Sequence, residues 1–456
     1  MPDQPDATNA LNLLDDLIAR ARKAGADDAD CVMVKGVSMS AAQRLGEPER
    51  IERSEGADIG LRILKGKRQA VVSSTDFSSQ ALSELIERGL AMAENVPEDP
   101  YCGLADRRDL ADPENLAKLL AQTDICDMEE PTPETLSERA RTIEDAARVV
   151  KGVNNSEGAE ASWGMTDVAM AASNGFSGAY SRSSHGIIVE VLAGEGTEME
   201  RDYEYLSAIY ATDLGDIAAL GRNAGERAVK RLHPRKVSTT KVPIIFDPRV
   251  SNSIVGHLAT AINGSAIARK TSFLKESMGK KIFSKDVTIV DDPFRRRGLG
   301  SKPVDGEGIA PQRRNIIDNG VLTSWFLDLN TARQLNLKST GHAARGTGAP
   351  PSPRPTNLYL EPGTVSPAEM IADIDSGLYV TEVMGTSISI NTGDYSRGAG
   401  GFWIENGEIA YPVSEITIAS NLSDMFSNLT AADDLNFRFG TNAPTLRIDG
   451  MTVAGI

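Results

Sequence analysis

The chain has 456 residues, 40% of them hydrophobic, and a formal net charge of −16 at pH 7. This length leaves room for two or three domains. The acidity disfavours binding to nucleic acid, whose phosphates repel it, and no apolar run approaches the ~20 residues that a membrane-spanning helix needs.

The first six residues, Met1 to Asp6, are acidic and lack the apolar core of a signal peptide. Three widely spaced cysteines, Cys31, Cys102 and Cys126, predict reduced thiols rather than a disulfide framework. We therefore expect a cytoplasmic protein with no nucleic-acid or membrane partner. The densest basic cluster, Arg295-Arg296-Arg297, is interpreted as solvated or ion-paired surface.

Residues 1–105 predict a small module with helices on either side of an antiparallel sheet. Apolar residues at helical spacing predict helices at Asn12–Ala24 and, capped by Ser78 or Ser79, up to about Asn95. Between them, strands are predicted at Cys31–Lys35, Ile59–Leu64 and Gln69–Ser73. A stretch rich in proline and acidic residues follows, and it predicts a loop-rich connection.

Residues 125–233 repeat this order and predict a second α+β module. Its first helix is predicted at Glu134–Val150, and its last, capped by Asp213, at Leu214–Leu232. The three strands between them are predicted at Glu157–Ala172, Gly178–Leu192 and Glu204–Ala211.

Residues 237–456 predict a β-rich C-terminal domain, so the fold class is α+β. One helix is expected at Arg249–Ile262, and strand signals dominate after about residue 285, including Gly320–Phe326, Gly377–Met384 and Ser387–Asn391. Residues 343–355 are too rich in proline and glycine for helix or sheet. They are interpreted as a mobile surface loop or a lid over a site.

Glycine is concentrated in residues 398–407, a stretch that runs into the turn Glu405-Asn406-Gly407-Glu408. An Asn-Gly pair between apolar runs is a strong hairpin signal, because such a turn needs two positive φ angles. Glycines before the strand let another backbone approach closely. The stretch is either a tightly packed sheet or a groove in which a peptide lies against the sheet.

The run GDYSRGAGGFWIENGEIAYPVSEITIASNL (393–422) resembles the C-terminal signature of the TldD/PmbA family, within its PmbA (TldE) branch. The stretches VGHLATAINGSAIARKTSFLKESMGKKI (255–282), TIVDDP (288–293), DGEGIAPQRRNIIDNGVLTSWFLDLNTARQLNLKSTGHA (305–343) and TEVMG (381–385) agree with it. The resemblance covers most of the chain and implies a zinc peptidase. In the TldD branch, an HExxxH helix and a cysteine nearer the C-terminus carry the zinc.

This chain lacks that motif. Its four histidines, His185, His233, His257 and His342, are never followed by glutamate, and no cysteine lies beyond Cys126. His257 lies in the helix that corresponds to the metal helix, but catalytic zinc needs three protein ligands. We therefore expect no catalytic residue, metal site or cofactor in this chain, and interpret His257 as structural.

The resemblance implies that the chain is the non-catalytic subunit of a heterodimeric metallopeptidase. A TldD-like subunit would supply the zinc, and this chain would complete the cavity and hold unfolded peptide. Whether a homodimer forms when that partner is missing is left open. Activity is expected only in the complex.

Two alternatives remain open. One is a metal-independent hydrolase with a site near His342 or Asp394–Arg397, although no G-x-S-x-G elbow is present. The other is a regulatory protein of the kind implied by the family's older, gyrase-modulator name. Acidic pairs at Asp291-Asp292 and Asp305–Glu307 are interpreted as turns rather than cation ligands.

Peptide contacts are predicted along the glycine-rich hairpin. A peptide strand would add to the sheet at about 4.8 Å backbone spacing, and small residues would leave room for it. The guanidinium of Arg397 would pair with the carbonyls or the terminal carboxylate of the peptide. The predicted contact residues are Tyr395, Arg397, Gly398, Gly400, Gly401 and Trp403.

Overall fold

A computed structural model describes residues 5–455, and this part of the chain forms ten α-helices and 19 β-strands. The helices are α1 (Pro5–Lys23), α2 (Ser79–Asn95), α3 (Pro113–Thr123), α4 (Pro133–Arg148), α5 (Ile217–Lys230), α6 (Pro248–Ala261), α7 (Gly264–Ala268), α8 (Leu329–Gln334), α9 (Pro367–Ala372) and α10 (Leu422–Ser427). The strands are β1 (Asp28–Arg44), β2 (Glu47–Lys65), β3 (Arg68–Ser74), β4 (Val153–Ala172), β5 (Ser177–Ala193), β6 (Glu200–Ala208), β7 (Thr240–Phe246), β8 (Ile289–Asp291), β9 (Arg314–Asp318), β10 (Val321–Leu322), β11 (Ala343–Ala344), β12 (Ser352–Pro353), β13 (Leu358–Leu360), β14 (Ser376–Met384), β15 (Asp394–Glu405), β16 (Glu408–Asn421), β17 (Leu429–Ala431), β18 (Thr441–Asn442) and β19 (Leu446–Ala454).

Strands β1 to β6 form one antiparallel sheet in the order β3-β2-β1-β4-β5-β6. The predicted sequence of helix, three strands and helix occurs twice, which confirms the α+β class. The two predicted modules nevertheless share this sheet, because β1 pairs with β4 from Asp30 opposite Ala172 to Gln43 opposite Ala159.

Alternation of side chains along the strands gives this sheet two apolar faces. On one face, Cys31 and Ala171 pack with α1 and α2, while Ala41 and Ala161 pack with α4 and α5. On the other face, residues such as Met170 pack with residues of α3 and the C-terminal domain. The sheet thus lies between four helices and the C-terminal domain.

The hairpin of β1 and β2 is longer than predicted. Residues 47–56 of β2 are all exposed, so they lack the apolar alternation that reveals a half-buried strand. The prediction that Asp213 caps α5 is wrong. The cap is Asp216, whose side chain accepts from Ala219 N, because Gly215 with φ 64° interrupts the chain first.

The C-terminal domain contains two larger sheets. One has the order β16-β15-β14-β7-β19-β17, and a further pairing of β16 with β19 closes it on itself. The other has the order β10-β9-β8-β13-β18. Helix α6 packs with β7, β13, β14 and β18, and its buried side chains join the largest apolar cluster of the described residues.

Two strand predictions in this domain are wrong. Residues 387–391 form no strand and contribute only a single bridge, between Ile388 and Tyr395. Of the predicted strand Gly320–Phe326, only β10 is extended in a sheet, because the chain then bends to bury Trp325 and Phe326.

The segment 343–355 connects the C-terminal domain to the N-terminal sheet. Its ends pair as β11 and β12, and Arg345 makes an ion pair with Asp30 of β1, which also pairs with Arg62 of β2. The backbone of Thr347 lies against Gly60, where a Cβ would be 2.3 Å from the Thr347 carbonyl oxygen. The exposed residues of the segment are Gly346, the tip at 348–350, Ser352 and Arg354.

Across residues 5–455, none of the helices combines the length and the apolar character needed to cross a membrane.

Candidate functional site

Helix α6 carries His257, the only histidine in the stretch that resembles the metal helix. The helix is well defined at its start, because Asp247 accepts from Arg249 N and Pro248 occupies the first turn. The His257 ring lies 5.8 Å from the Tyr395 ring, centroid to centroid, in an edge-to-face arrangement. Thus α6 and β15 bring together two of the residues considered from sequence.

Arg397 completes this group, which we call the His257 cluster (His257, Tyr395 and Arg397). Residues 395 and 397 are two apart on β15 and share a face of the sheet. Arg397 Nη2 donates to the Val383 carbonyl oxygen at 3.3 Å. Buried His257 Nε2, Tyr395 Oη and Arg397 Nε have no hydrogen-bond partner within the described residues. The three side chains of the cluster therefore lie close together, and each has a buried polar atom without a hydrogen-bond partner.

Burial, and then the positive charge of Arg397, lowers the pKa of His257 to about 4. Burial also raises the pKa of the Tyr395 hydroxyl to about 12, against the opposing effect of Arg397. At pH 7 the histidine and the tyrosine are both neutral, and the guanidinium is the only charge of the cluster. A cation placed here would meet a like charge.

The glycines of β15 make close contacts inside the sheet. A Cβ at Gly401 would lie 2.0 Å from the Tyr379 carbonyl oxygen of β14, whereas one at Gly400 would meet its first neighbour, Arg231 Nη2, at 3.5 Å. Gly401 therefore allows an approach that no side chain permits, which supports the packing interpretation at that position.

The predicted addition of a peptide strand along this hairpin stays a prediction. From Gly398 to Glu405, β15 pairs with β14 on one side and with β16 on the other, so a peptide strand would have to meet the hairpin outside this part of β15. Tyr395, Gly400, Gly401 and Trp403 are buried, while Arg397 and Gly398 are partly exposed. Of the six predicted contact residues, these two are open to a ligand.

His342 lies in a separate buried network. Its Nε2 is 3.0 Å from Asp291 Oδ2 and its Nδ1 is 2.8 Å from Thr340 Oγ1. Asp291 also accepts from the Thr356 backbone and hydroxyl, and His342 is only 1% exposed. Asp291, His342 and the Thr340 hydroxyl thus form a hydrogen-bonded series of acid, histidine and hydroxyl. Because this series has no solvent access, its role is to tie the segment after Thr340 to β8.

A polar cavity of about 310 Å³ lies between the N-terminal sheet and the C-terminal domain. It is lined by Arg62, Glu307, Asp328 and the end of the 343–355 segment, among others. Burial and then the nearby Asp305 and Asp328 raise the pKa of Glu307 well above its usual value. Sequence reasoning treated Asp305–Glu307 as an acidic turn and missed the cavity, because residues distant in sequence form its walls.

Over the described range 5–455, no three or more His, Cys, Asp and Glu side chains are grouped so as to hold a metal ion.

Comparison with known proteins places the chain in a family. Three family profiles match in chain order: PmbA/TldA metallopeptidase domain 1 at residues 29–93, the central domain at 126–232, and the C-terminal domain at 239–455. The chain belongs to the PmbA/TldD metallopeptidase family. The family resemblance inferred from sequence is thus confirmed.

Relatives and solved structures agree with the profiles. The chain is 37% identical over 431 residues to "Metalloprotease PmbA" of Escherichia coli O157:H7, covering 94% of this chain and 92% of that protein. A Bacteroides thetaiotaomicron crystal structure, of a protein named for a proposed role as a modulator of DNA gyrase, has a TM-score of 0.87 at 26% identity and covers 98% of both chains. TldE from Thermococcus kodakarensis has a TM-score of 0.85 at 21% identity, covering 97% of this chain and 100% of that one.

The residues around His257 do not fit the zinc ion that the family name implies. Zinc binds neutral imidazole, thiolate or carboxylate groups, three of them in a catalytic site. Here a single imidazole is next to a tyrosine that is neutral at pH 7 and a guanidinium, and a guanidinium cannot coordinate a metal. No reaction step is therefore assigned to a metal in this chain.

Proposed function

We propose that this chain is the non-catalytic, TldE-like subunit of a cytoplasmic heterodimeric zinc metallopeptidase that cleaves unfolded peptides. A TldD-like partner supplies the zinc and the general base, and this chain completes the cavity and holds the substrate. The observation that carries the proposal is the replacement of a ligand set by the His257 cluster, on the helix that corresponds to the metal helix.

The electrostatics of the cluster support this division of roles. A general base for water must be able to take a proton near neutral pH, but the pKa of His257 is about 4. A metal-bound water needs three protein ligands on the metal. Neither requirement is met around His257, which supports a supply of the zinc and the general base by another chain.

Substrate contact is proposed at Arg397 and Gly398, the two predicted contact residues that are partly exposed. A guanidinium suits the carbonyls or the terminal carboxylate of a peptide. Arg397 Nη2 donates to the Val383 carbonyl oxygen, which holds the guanidinium at the partly exposed position where it would meet the peptide.

The test is hydrolysis of an unfolded peptide by this chain alone, by a purified TldD-like partner alone, and by their mixture, each with its zinc content measured. We expect turnover only in the mixture, with zinc in the partner. Stoichiometric zinc in this chain that is lost in His257→Ala would overturn the proposal. Turnover by this chain alone would favour a metal-independent hydrolase, and no change on mixing would favour a regulatory protein.

The substrate contact is tested in the same mixture with Arg397→Gln. We expect a lower kcat/KM with complex formation unchanged. The matched control is Arg108→Gln, because the Arg108 side chain is 82% exposed and pairs with Asp106 two residues away. Equal turnover of the two variants would remove Arg397 from the proposed contact.

A further inference from the structure

A second cavity, of about 300 Å³, lies where β6 meets the C-terminal domain, and we call it the arginine pocket. Four arginines line it, together with two phenylalanines and one aspartate among others: Arg295, Arg296, Arg297, Arg438, Phe437, Phe439 and Asp213. In a chain with a net charge of −16, such a concentration of guanidinium groups creates a local positive field.

The segment with the first three arginines is held by a buried support. Asn357 Oδ1 accepts from Gly300 N at 2.8 Å, and Ser301 Oγ donates to the Arg295 carbonyl oxygen at 2.5 Å. Asn357 Nδ2 is also 2.8 Å from Ser301 Oγ, and both residues are buried. Arg297 has φ 53°, an uncommon conformation for a residue with a side chain. The arginines are thus presented by a fixed turn.

Three of the four arginines have carboxylate partners. Arg296 and Arg297 share Asp124, and Arg297 also pairs with Asp213. Arg438 Nη2 is 2.5 Å from Glu204 Oε1. The carboxylates that serve these three arginines are Asp124, Asp213 and Glu204, and Glu204 also pairs with Arg227, so none of them is left for the fourth arginine, whose positive charge is in excess.

The excess charge belongs to Arg295. Its guanidinium carbon lies 3.2 Å from the centroid of the Phe437 ring, and Phe437 is in turn held by Tyr359 at 5.0 Å between ring centroids. Within residues 5–455 Arg295 makes no ion pair, while Asp292, whose charge acts on it from a distance, lies 3.9 Å from Arg313 Nε. Burial lowers the pKa of Arg295, whereas hydrogen bonds to Asp124 and Asp213 help to raise that of Arg297.

A half-buried cation without a counter-ion is unfavourable, and an anionic ligand would compensate it. Stacking on the Phe437 ring fixes the plane of the guanidinium and leaves its N–H groups directed along that plane, the geometry that suits a carboxylate or a phosphate. We propose that the arginine pocket binds an oxyanion, either the carboxylate at the end of a peptide or the phosphate of a small molecule, with Arg295 as its main contact. This proposal does not depend on the peptidase role.

The experiment uses the full chain alone, with calorimetric titration at low ionic strength. The probes are inorganic phosphate, N-acetyl-trialanine, and N-acetyl-trialanine amide, which lacks the terminal charge. We expect saturable binding of phosphate or of the free acid, weaker in added salt, and none of the amide. Binding of the free acid identifies a peptide terminus as the ligand, and binding of phosphate alone identifies a phosphate-bearing molecule.

Arg295→Gln should weaken binding at least tenfold. Arg295→Lys should have an affinity between those of Arg295→Gln and the unmodified chain, because lysine keeps the charge without the planar fork. Arg108→Gln, which removes an exposed arginine elsewhere, should bind as the unmodified chain does. If Arg295→Gln does not fold, Ser207→Trp is the second variant. Ser207 is an exposed residue of the pocket lining, and an indole there should block access.

Two results would overturn the proposal. One is the absence of saturable binding of phosphate and of the free acid by the unmodified chain. The other is unchanged affinity in folded Arg295→Gln or in Ser207→Trp.

Discussion

Arg397 in the His257 cluster and Arg295 in the arginine pocket are both arginines beside aromatic rings, and neither has a carboxylate partner among the described residues. Their surroundings differ. Arg397 is partly exposed, with its Nε buried without a partner beside β14, whereas Arg295 borders a cavity of about 300 Å³. An uncompensated charge packed against a sheet offers a ligand only its exposed side, while the same charge beside an open cavity favours the entry of an anion.

The largest expected effect tests how tightly β15 packs against β14 next to the His257 cluster. Gly401→Ala places a Cβ 2.0 Å from the Tyr379 carbonyl oxygen, and such overpacking should cost at least about 3 kcal/mol or prevent folding. Gly400→Ala, with its first contact at 3.5 Å, is the matched control and should remain near the unmodified stability. Urea denaturation of both variants measures the difference, and equal stabilities would show that β15 can move away from β14.

The second prediction concerns acid stability. The folded-state pKa of His257 is lowered, so between about pH 6.5 and 4 the unfolded chain binds a proton that the folded chain does not, and stability is lost as the pH falls. From a pKa of about 4, this histidine should account for about 2–3 kcal/mol of the loss between pH 7 and pH 4.5. In His257→Gln that part of the loss should be absent in urea denaturation.

The control for this prediction is His233→Gln, because the His233 side chain is 79% exposed. It should show the same acid sensitivity as the unmodified chain. An unchanged pH dependence in His257→Gln would mean that His257 takes up its proton without cost, and the His257 cluster would then be more open than described.

The smallest effect is expected in the arginine pocket. Arg438→Met removes a hydrogen-bonded ion pair with buried Glu204 and should cost about 1.5–3 kcal/mol. Arg295→Met removes only a cation–π contact and should cost less than about 1 kcal/mol. Urea denaturation at pH 7 compares them. A larger cost for Arg295→Met would show that this residue stabilises the fold rather than being available to a ligand.

Much of the element order was predictable because it depends on local patterns. Helices α2, α4 and α6 begin near capping residues or prolines, and β3 and the second half of β5 contain the β-branched residues typical of strands. The exposed half of β2 has no such alternation, so its extent was missed. The pairing of β1 with β4 joins residues more than a hundred positions apart and leaves no mark in one sequence.

The candidate sites were only partly predictable for the same reason. The glycines of β15 indicated a close approach, but not that Tyr379 of the neighbouring strand makes it. Arg295, Arg296 and Arg297 were recognised as basic, yet their pocket depends on Phe437 and Arg438, which only folding brings to them. The basic cluster is visible in the sequence because its arginines are adjacent. Which of these arginines has no ion-pair partner depends on the folded structure.

The ion pairs of Asp30 have a mechanical consequence. This buried carboxylate in β1 pairs with Arg62 of its own sheet and with Arg345 from the segment 343–355. Hinge motion between the sheet and the C-terminal domain would separate buried opposite charges, which is costly. The two halves should therefore move as one rigid body and unfold in one cooperative step.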